Sequence, residues 1–255
     1  MTQCLAGQTA LVTGGGRGIG RAIAERLAED GAIVAINFAS NIKAAESALE
    51  AVLAKGGQGF LVQAKIGEPG SIEHIVKTIG KEFEARTGKK QLNILVNNIG
   101  GGEHATIETE TEAHFDWVMN NNVRGPFFLT QALLPYLADG ARIVNISSAA
   151  SRLAGTTFIS YSMAKAAVEM FTRVLAKDLG KRGITVNSVA PGYTTGETNA
   201  DVMENPEIAR KIEESTLLGR FGDPADIADA VHALISPAGR WITGQNIEAS
   251  GGFNF

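Results

Sequence analysis

The sequence lacks the features that mark disulfide-bonded, membrane-spanning or nucleic-acid-binding proteins. Its 255 residues include a single cysteine, which excludes an internal disulfide and a metal cluster built from cysteines. No segment approaches the roughly 18 consecutive apolar residues of a membrane span, and the first residues carry no export signal. A formal net charge of −4 argues against a nucleic-acid or anionic-membrane partner. We expect a cytoplasmic protein.

What the chain does have is an apolar content of 44%, enough for the core of one large domain. Apolar segments of strand length alternate with amphipathic segments of helix length. Strands are predicted at 9–13, 32–37, 59–63, 92–97, 141–147, 184–190 and 245–250, and helices after residue 18 and near 42–55, 70–85, 111–138, 158–181 and 223–236. This alternation predicts a single α/β domain, a doubly wound parallel sheet with helices on both faces.

A glycine-rich segment, "TGGGRGIG" (Thr13–Gly20), joins the first predicted strand to the first helix. It lacks the lysine and hydroxyl of a P-loop, because Arg21-Ala22 follows the last glycine. It also lacks the third glycine of G-x-G-x-x-G, since Ile19 stands there. It does fit T-G-x-x-x-G-x-G. A glycine turn without a ligand is the alternative, but the strand–turn–helix context favours backbone N–H groups that approach a phosphate.

A second motif, "YSMAK", places Tyr161 and Lys165 four residues apart, on one face of a predicted helix. Ser148 precedes Tyr161 by 13 residues, at the end of the fifth strand. An ammonium beside a phenol lowers the tyrosine pKa from about 10, so that Tyr161 can exchange a proton near neutral pH. An exposed helix face remains the alternative for a tyrosine–lysine pair alone.

Together these motifs resemble the short-chain dehydrogenase/reductase superfamily, in particular its 3-oxoacyl-carrier-protein reductases and NADP-dependent carbonyl reductases. The resemblance runs nearly from end to end. It is carried by the glycine segment, "NNIG" (97–100), "NNNVRG" (120–125), the serine with "YSMAK", Pro191-Gly192 and "WITGQNIEASGG" near the C-terminus. It implies a Rossmann-type fold, a nicotinamide cofactor and a homotetramer.

The resemblance also implies a catalytic tetrad of Asn122, Ser148, Tyr161 and Lys165. Tyr161 would give a proton to the alkoxide or take one from an alcohol, and Ser148 would hydrogen-bond the substrate oxygen. Lys165 would hold the ribose hydroxyls and lower the pKa of Tyr161. Asn122 would keep a water in place for a proton relay.

The acid that selects NAD in many members is missing after the second strand, where Phe38 stands instead. Its absence permits the 2′-phosphate of NADP. "NFASN" (37–41) resembles the sequence of some NADP-dependent carbonyl reductases, in which Ser40 and Asn41 would bind that phosphate and Arg17 would supply the charge. The full set of expected cofactor contacts is Gly14, Arg17, Gly18, Ile19, Gly20, Phe38, Ala39, Ser40, Asn41, Ile66, Asn98, Gly100, Tyr161, Lys165, Pro191, Gly192 and Thr194.

One position departs from the family pattern. The acid that usually contacts adenine after the third strand is replaced by Lys65, which cannot accept a hydrogen bond. The backbone at Ile66 remains as the expected contact.

Three functions stay open. We expect an NADPH-dependent reductase of a ketone or aldehyde, acting on a small molecule under a lid at about 191–217. A 3-oxoacyl-carrier-protein reductase would need a basic patch, for which Arg124 and Arg152 alone are few. A non-catalytic NADP-binding sensor would usually lack part of the tetrad. The four histidines show no ligand spacing, so no metal site is expected; His104 and Arg152 are further substrate-contact candidates.

Overall fold

The computed structural model describes residues 3–153 and 155–254. They contain a seven-stranded parallel sheet in the order β3-β2-β1-β4-β5-β6-β7. The strands are β1 (Thr9–Val12), β2 (Ile33–Phe38), β3 (Gln58–Gln63), β4 (Leu92–Asn97), β5 (Leu137–Ile146), β6 (Thr185–Pro191) and β7 (Asn246–Ala249). The predicted doubly wound α/β fold is confirmed.

Nine α-helices connect the strands in the described residues: α1 (Gly18–Glu29), α2 (Ile42–Ala54), α3 (Ser71–Thr87), α4 (Glu112–Met119), α5 (Gly125–Leu133), α6 (Ile159–Leu179), α7 (Ala200–Met203), α8 (Pro206–Glu214) and α9 (Pro224–Ile235). None of them is long and apolar enough to cross a membrane.

Each face of the sheet has its own hydrophobic core, because side chains alternate between the faces along a strand. In β1, Val12 packs with residues of α1, α2 and α9, whereas Leu11 packs with residues of α3, α5 and α6. Both sets are fully buried. The continuous apolar runs of the sequence are therefore strands covered on both sides.

The prediction of one helix over 111–138 was wrong. A π-helical turn at Asn120–Arg124 separates α4 from α5, and β5 begins as early as Leu137. The early start of β5 is accommodated by a register shift against β4 and by Gly140, whose φ of 76° suits a glycine.

The order of the strands reverses between β1 and β4, which are neighbours in the sheet. In such sheets ligands bind beyond the carboxyl ends of the strands at this reversal. The segments that leave the carboxyl ends of β1, β2, β4, β5 and β6 carry the motifs identified in the sequence; we call this side the ligand edge.

Candidate active site

The glycine segment forms a tight turn between β1 and α1. Gly14 and Gly18 have φ values of 62° and 52°, a region that favours glycine. A Cβ at Gly20 would overlap the carbonyl oxygen of Gly14 and lie 2.5 Å from the side-chain nitrogen of Asn98. The segment thus folds on itself so closely that it exposes backbone instead of side chains.

The side chains that directly follow β1 and β4 hold this turn in place. The buried Thr13 hydroxyl accepts hydrogen bonds from the backbone N–H groups of Asn98 (2.9 Å) and Ile99 (3.1 Å). The amide of Asn98 donates to the carbonyls of Thr13 (2.9 Å) and Gly14 (3.2 Å). The Asn98 amide, expected to contact the cofactor, therefore holds the backbone of the glycine turn.

The turn lies against the start of α2. A Cβ at Gly16 would be 3.4 Å from the backbone of Ala45. Ala39, Ser40 and Asn41 are exposed at the end of β2, and Asn41 caps α2 by accepting a hydrogen bond from Ala44 N–H (3.1 Å).

Two further residues near this turn are Phe38, at the end of β2, and Lys43, in α2. Phe38 is buried, so its side chain packs inside the fold and leaves no carboxylate at the end of β2. Lys43, in the first turn of α2, is exposed and adds a cation near Ser40 that the motif analysis missed.

Arg17 is exposed at the N-terminus of α1. Its Nη1 forms an ion pair of 2.6 Å with Glu197, from the segment that follows β6. The side chains are 65% and 72% exposed, respectively, so the pair is weak and easily exchanged. Arg17 thus bridges the glycine turn and the expected lid.

The residues after β3 show why the adenine contact differs from the family pattern. Lys65 is exposed and pairs with Glu68 at 3.0 Å. Ile66 is buried, and its Cγ2 lies 2.6 Å from where a Cβ of Gly125 would be, so the two are in contact. The side chain of Ile66 thus packs against α5, which leaves only its backbone for a ligand.

Ser148 and Tyr161 meet at the carboxyl end of β5, where the Ser148 hydroxyl lies close enough to the Tyr161 phenol to affect its pKa. Ser147 faces away from this pair: its hydroxyl donates to Glu169 at 2.8 Å. Burial raises the pKa of Tyr161, and the Ser148 hydroxyl lowers it by less. The expected lowering of the tyrosine pKa was therefore wrong, and Tyr161 keeps its proton at neutral pH.

Lys165 lies one turn further along α6 and is buried. Its ammonium donates to the carbonyl of Ile146 at 2.9 Å and lies 5.5 Å from the centre of the Tyr161 ring. Burial lowers the pKa of Lys165 to about 8, close to neutrality.

Asn122, in the π-helical turn, is buried beside Lys165. Its amide donates to the carbonyls of Val118 (2.8 Å) and Gly101 (2.7 Å), and its oxygen accepts from Gly101 N–H (3.2 Å). A Cβ on Gly100 would overlap Asn122 and lie 2.9 Å from the nitrogen of Lys165. The Asn122 side chain thus anchors the segment after β4, and the absence of a side chain at Gly100 lets Lys165 approach.

An aromatic row, which we define as His104, Phe158 and Tyr161, lines the approach to the tyrosine. The ring centres of His104 and Phe158 are 4.2 Å apart, and those of Phe158 and Tyr161 are 6.2 Å apart. Gly102 lies against Tyr161, where a Cβ would come within 2.7 Å of the tyrosine Cβ. No sequence motif points to Phe158 or Gly102.

The end of β6 and the residues that follow it pack against the C-terminal segment. Pro191 and Thr194 are buried, and the Thr194 hydroxyl donates to the carbonyl of Gly192 at 3.2 Å. Gly192 packs so closely on Ser250 that a Cβ would come within 2.9 Å of it.

Arg152, a substrate-contact candidate, binds the C-terminal segment instead. It forms a two-pronged ion pair with Glu248 (2.5 and 2.6 Å) and donates to the carbonyl of Phe253 at 2.6 Å. The ion pair raises the pKa of Arg152 and lowers the pKa of Glu248.

The chemistry of this edge fits a nicotinamide dinucleotide. The bare backbone of the glycine turn at a helix N-terminus suits a pyrophosphate. An ammonium has three donors, and among the described residues the nitrogen of Lys165 donates only to Ile146, so two remain for ribose hydroxyls.

A comparison with protein families supports the same conclusion. The family model described as "Enoyl-(Acyl carrier protein) reductase" matches residues 14–254, nearly the whole chain. The NADPH-dependent aldehyde reductase 2, chloroplastic, of Arabidopsis thaliana is 37% identical over 98% of this chain and 94% of its own.

Solved structures agree. The angucycline C-6 ketoreductase LanV with bound NADP is 40% identical, has a TM-score of 0.95 and covers 100% of this chain and 98% of its own. The reductase LugOII, which catalyses keto-reduction at C1 during lugdunomycin biosynthesis, is 41% identical with a TM-score of 0.94, covering 99% and 100%. The chain belongs to the short-chain dehydrogenase/reductase superfamily and is an NAD(P)-dependent oxidoreductase.

Proposed function

We propose that this protein reduces a ketone to a secondary alcohol with NADPH, in a site made by Asn122, Ser148, Tyr161 and Lys165. The observation that carries this proposal is the proximity of the Ser148 and Tyr161 hydroxyls beside the buried Lys165 ammonium. A proton donor, a second hydroxyl and a cation then face one position, where a carbonyl oxygen can bind.

In this proposal NADPH supplies the hydride that adds to the carbonyl carbon. Ser148 donates a hydrogen bond to the carbonyl oxygen and orients it. Tyr161 gives its phenolic proton to the oxygen as negative charge develops there, so its raised pKa suits an acid that must arrive protonated. In the reverse direction the same group takes the alcohol proton.

Lys165 and Asn122 support this step. Lys165 holds the ribose hydroxyls with the two donors that its hydrogen bond to Ile146 leaves available. Asn122 fixes the Gly100–Gly101 backbone beside Lys165 and, in this proposal, keeps a relay water in reach of the ammonium.

The preference for NADPH rests on the charges around the glycine turn. Phe38 replaces the acid that would repel a 2′-phosphate, and Ser40 offers an exposed hydroxyl. Arg17 supplies the cation by exchanging Glu197 for the phosphate, and Lys43 adds a second positive charge at the N-terminus of α2. Two relatives agree with this preference: LanV has NADP bound, and the Arabidopsis thaliana aldehyde reductase is NADPH-dependent.

The substrate class that we propose is a ring ketone with a flat apolar body. The aromatic row offers ring faces next to Tyr161, which suit stacking on a planar substrate. The two structural relatives reported above, at 40% and 41% identity, are an angucycline C-6 ketoreductase and a reductase that catalyses keto-reduction at C1 in lugdunomycin biosynthesis, so both act on a ketone. The segment 191–217, with α7 and α8, would act as the lid over it.

A 3-oxoacyl-carrier-protein reductase is the weaker alternative. Carrier proteins are acidic and need a basic surface at the mouth of the site. The lid carries six carboxylates and two cations, and Arg152 is engaged by Glu248. A sensor without turnover is weaker still, because all four tetrad residues are present in the sequence.

We also propose a cytoplasmic homotetramer. Apolar side chains are exposed on α5 and α6, including Phe127, Met170 and Val174, and Trp241 and Ile247 are exposed near the edge strand β7. Two separate apolar surfaces suit two interfaces per chain, as a tetramer of dyad symmetry requires. Light scattering on the purified protein tests this assembly, and a monomer at micromolar concentration contradicts it.

The function is tested by following NADPH oxidation with a panel of ketones. The panel pairs planar polycyclic ketones with small aliphatic ketones and an acyl-thioester β-ketone, each with NADPH and with NADH. We expect the highest kcat/KM for a polycyclic ketone with NADPH. Turnover of the thioester alone would favour the carrier-protein alternative, and binding of NADPH without turnover of any class would favour the sensor.

A further inference from the structure

A second cluster of reactive side chains lies at the opposite side of the sheet from the ligand edge. Cys4 precedes β1, Asp30 ends α1, and His232 lies in the last turn of α9. Cys4 is 26 residues and His232 is 202 residues from Asp30 in the sequence. The ligand atoms of all three nevertheless lie within 4.8 Å of one another. All three side chains are partly buried.

The contacts within this cluster are specific. The Cys4 thiol donates to Asp30 Oδ2 at 2.7 Å, and His232 Nε2 lies 2.7 Å from the same oxygen. Asp30 Oδ1 accepts the backbone N–H of Cys4 at 3.0 Å. One carboxylate therefore gathers a sulfur and an imidazole nitrogen around one point.

From this arrangement we infer that Cys4, Asp30 and His232 form a binding site for one thiophilic divalent cation such as Zn²⁺. A thiolate, an imidazole and a carboxylate are the ligands that Zn²⁺ takes in proteins, with a water in the fourth position. Zinc–ligand bonds of about 2.0–2.3 Å place tetrahedral ligand atoms about 3–4 Å apart. The present separations of 2.7 Å need to open by about 1 Å or less, which side-chain rotation can provide.

Two changes must accompany cation binding: the loss of the Cys4 thiol proton and a movement of Arg26. The Cys4 thiol carries the proton that it donates to Asp30, so the cation must displace this proton, and affinity rises with pH. Arg26 Nη2 lies 3.2 Å from His232 Nδ1 and must turn away when that nitrogen carries the proton. Arg26 Nε already pairs with Asp229 at 2.9 Å, which gives the guanidinium a place to turn.

The site would join three separate pieces of the fold: the segment before β1, the end of α1 and the last turn of α9. A ligand that binds the folded chain alone stabilises it by mass action. At a metal concentration of a hundred times the dissociation constant, that corresponds to a rise in Tm of about 5–10 °C for a chain of this size.

Cobalt(II) titration of the protein without an affinity tag tests the inference. Cys4 is the only thiol in the chain, so a thiolate-to-cobalt absorption band reports this residue alone. We expect one equivalent of Co²⁺ to give that band with tetrahedral visible bands, and Zn²⁺ to remove both. Affinity should increase from pH 6 to pH 8, and Zn²⁺ should raise the Tm.

Two variants and one control complete the test. Cys4→Ser keeps a donor to Asp30, so it should fold, and it should lose the band and the Tm shift. His232→Gln should weaken Co²⁺ binding at least ~10-fold. His74→Gln, which removes an exposed histidine of α3, should bind as the wild type does. No thiolate band in the wild type, or a band of unchanged affinity in His232→Gln, overturns the inference.

Discussion

The two halves of the ligand edge are built from different groups. In the nucleotide half, between β1 and β2, the ligand-facing groups are backbone and exposed side chains such as Arg17 and Ser40. In the catalytic half, between β4 and β6, they are buried or half-buried side chains: Lys165 is 3% exposed and Asn122 is 1% exposed, and Ser148 and Tyr161 are half-buried. An exposed cation acts through a solvent-screened charge, whereas a buried group has a shifted pKa and fixed partners. We therefore expect a single substitution to cost far more in the catalytic half.

The largest effect is expected for Tyr161→Phe. The substitution keeps the ring and removes the proposed acid, so turnover should fall by at least ~10²-fold, the low end for general acid catalysis. NADPH affinity should change little. Stopped-flow turnover and fluorescence titration of NADPH measure the two effects.

Tyr136→Phe is the matched control, because Tyr136 lies just before β5, at the other side of the sheet. It should retain full turnover. Full activity of Tyr161→Phe would remove the assigned proton donor.

Arg17→Ala tests the nucleotide half. Loss of a hydrogen bond to a charged group costs about 1.5–3 kcal/mol, which is a ten- to hundred-fold weaker binding of NADPH. NADH has no 2′-phosphate, so its affinity should hardly change. Isothermal titration with both cofactors decides this, and equal weakening of both would contradict the proposed contact.

The pH dependence of NADPH binding tests the buried cation. With a pKa of about 8, Lys165 is charged below that pH and loses its proton above it. If the charged form binds the ribose, the dissociation constant should rise by up to about ten-fold per pH unit above 8. Lys165→Arg stays charged, so its affinity, although lower, should be flat from pH 7 to pH 9.5. A wild-type affinity that is also flat would mean that the charge of Lys165 is not needed for binding.

The smallest effect is expected for Glu197→Gln, which frees Arg17 from its exposed partner. Exposed pairs contribute at most about 1 kcal/mol, so NADPH should bind up to about five-fold more tightly. Glu207→Gln, also exposed in the lid, is the control and should leave the affinity unchanged. Weaker binding in Glu197→Gln would show that Glu197 supports Arg17 instead of competing for it.

Local patterns predicted most of the fold, because buried parallel strands appear as apolar runs and their helices repeat apolar residues every three or four positions. The same patterns failed at 111–138. Nothing in "MNNNVRG" distinguishes a π-helical turn from an α-helix, since the turn depends on the Asn122 side chain and the distant Gly101.

In the candidate site, too, features carried by a local motif could be predicted, and features that depend on the folded structure could not. Motif spacing predicted Ser148, whose hydroxyl lies beside Tyr161, whereas the hydroxyl of its neighbour Ser147 donates to Glu169. The direction of the tyrosine pKa was wrong because it depends on burial, which a motif does not contain. The Arg17–Glu197 pair and the Cys4–Asp30–His232 cluster could not be foreseen, because their members are 180 and up to 202 residues apart and meet only in the folded sheet.

The π-helical turn at Asn120–Arg124 makes the number of residues between Thr111 and Gly125 a property of the site. Each residue in an α-helix turns the chain by about 100°. Removing one residue here would rewind the turn into a regular helix and rotate α4 against α5 by that angle, even if every catalytic side chain were kept. Trp117, whose ring lies near Gly101, and Asn122 would then face different directions. The length of the helical segment from α4 to α5 is thus fixed by the side chains that it positions, as the length of an active-site loop is.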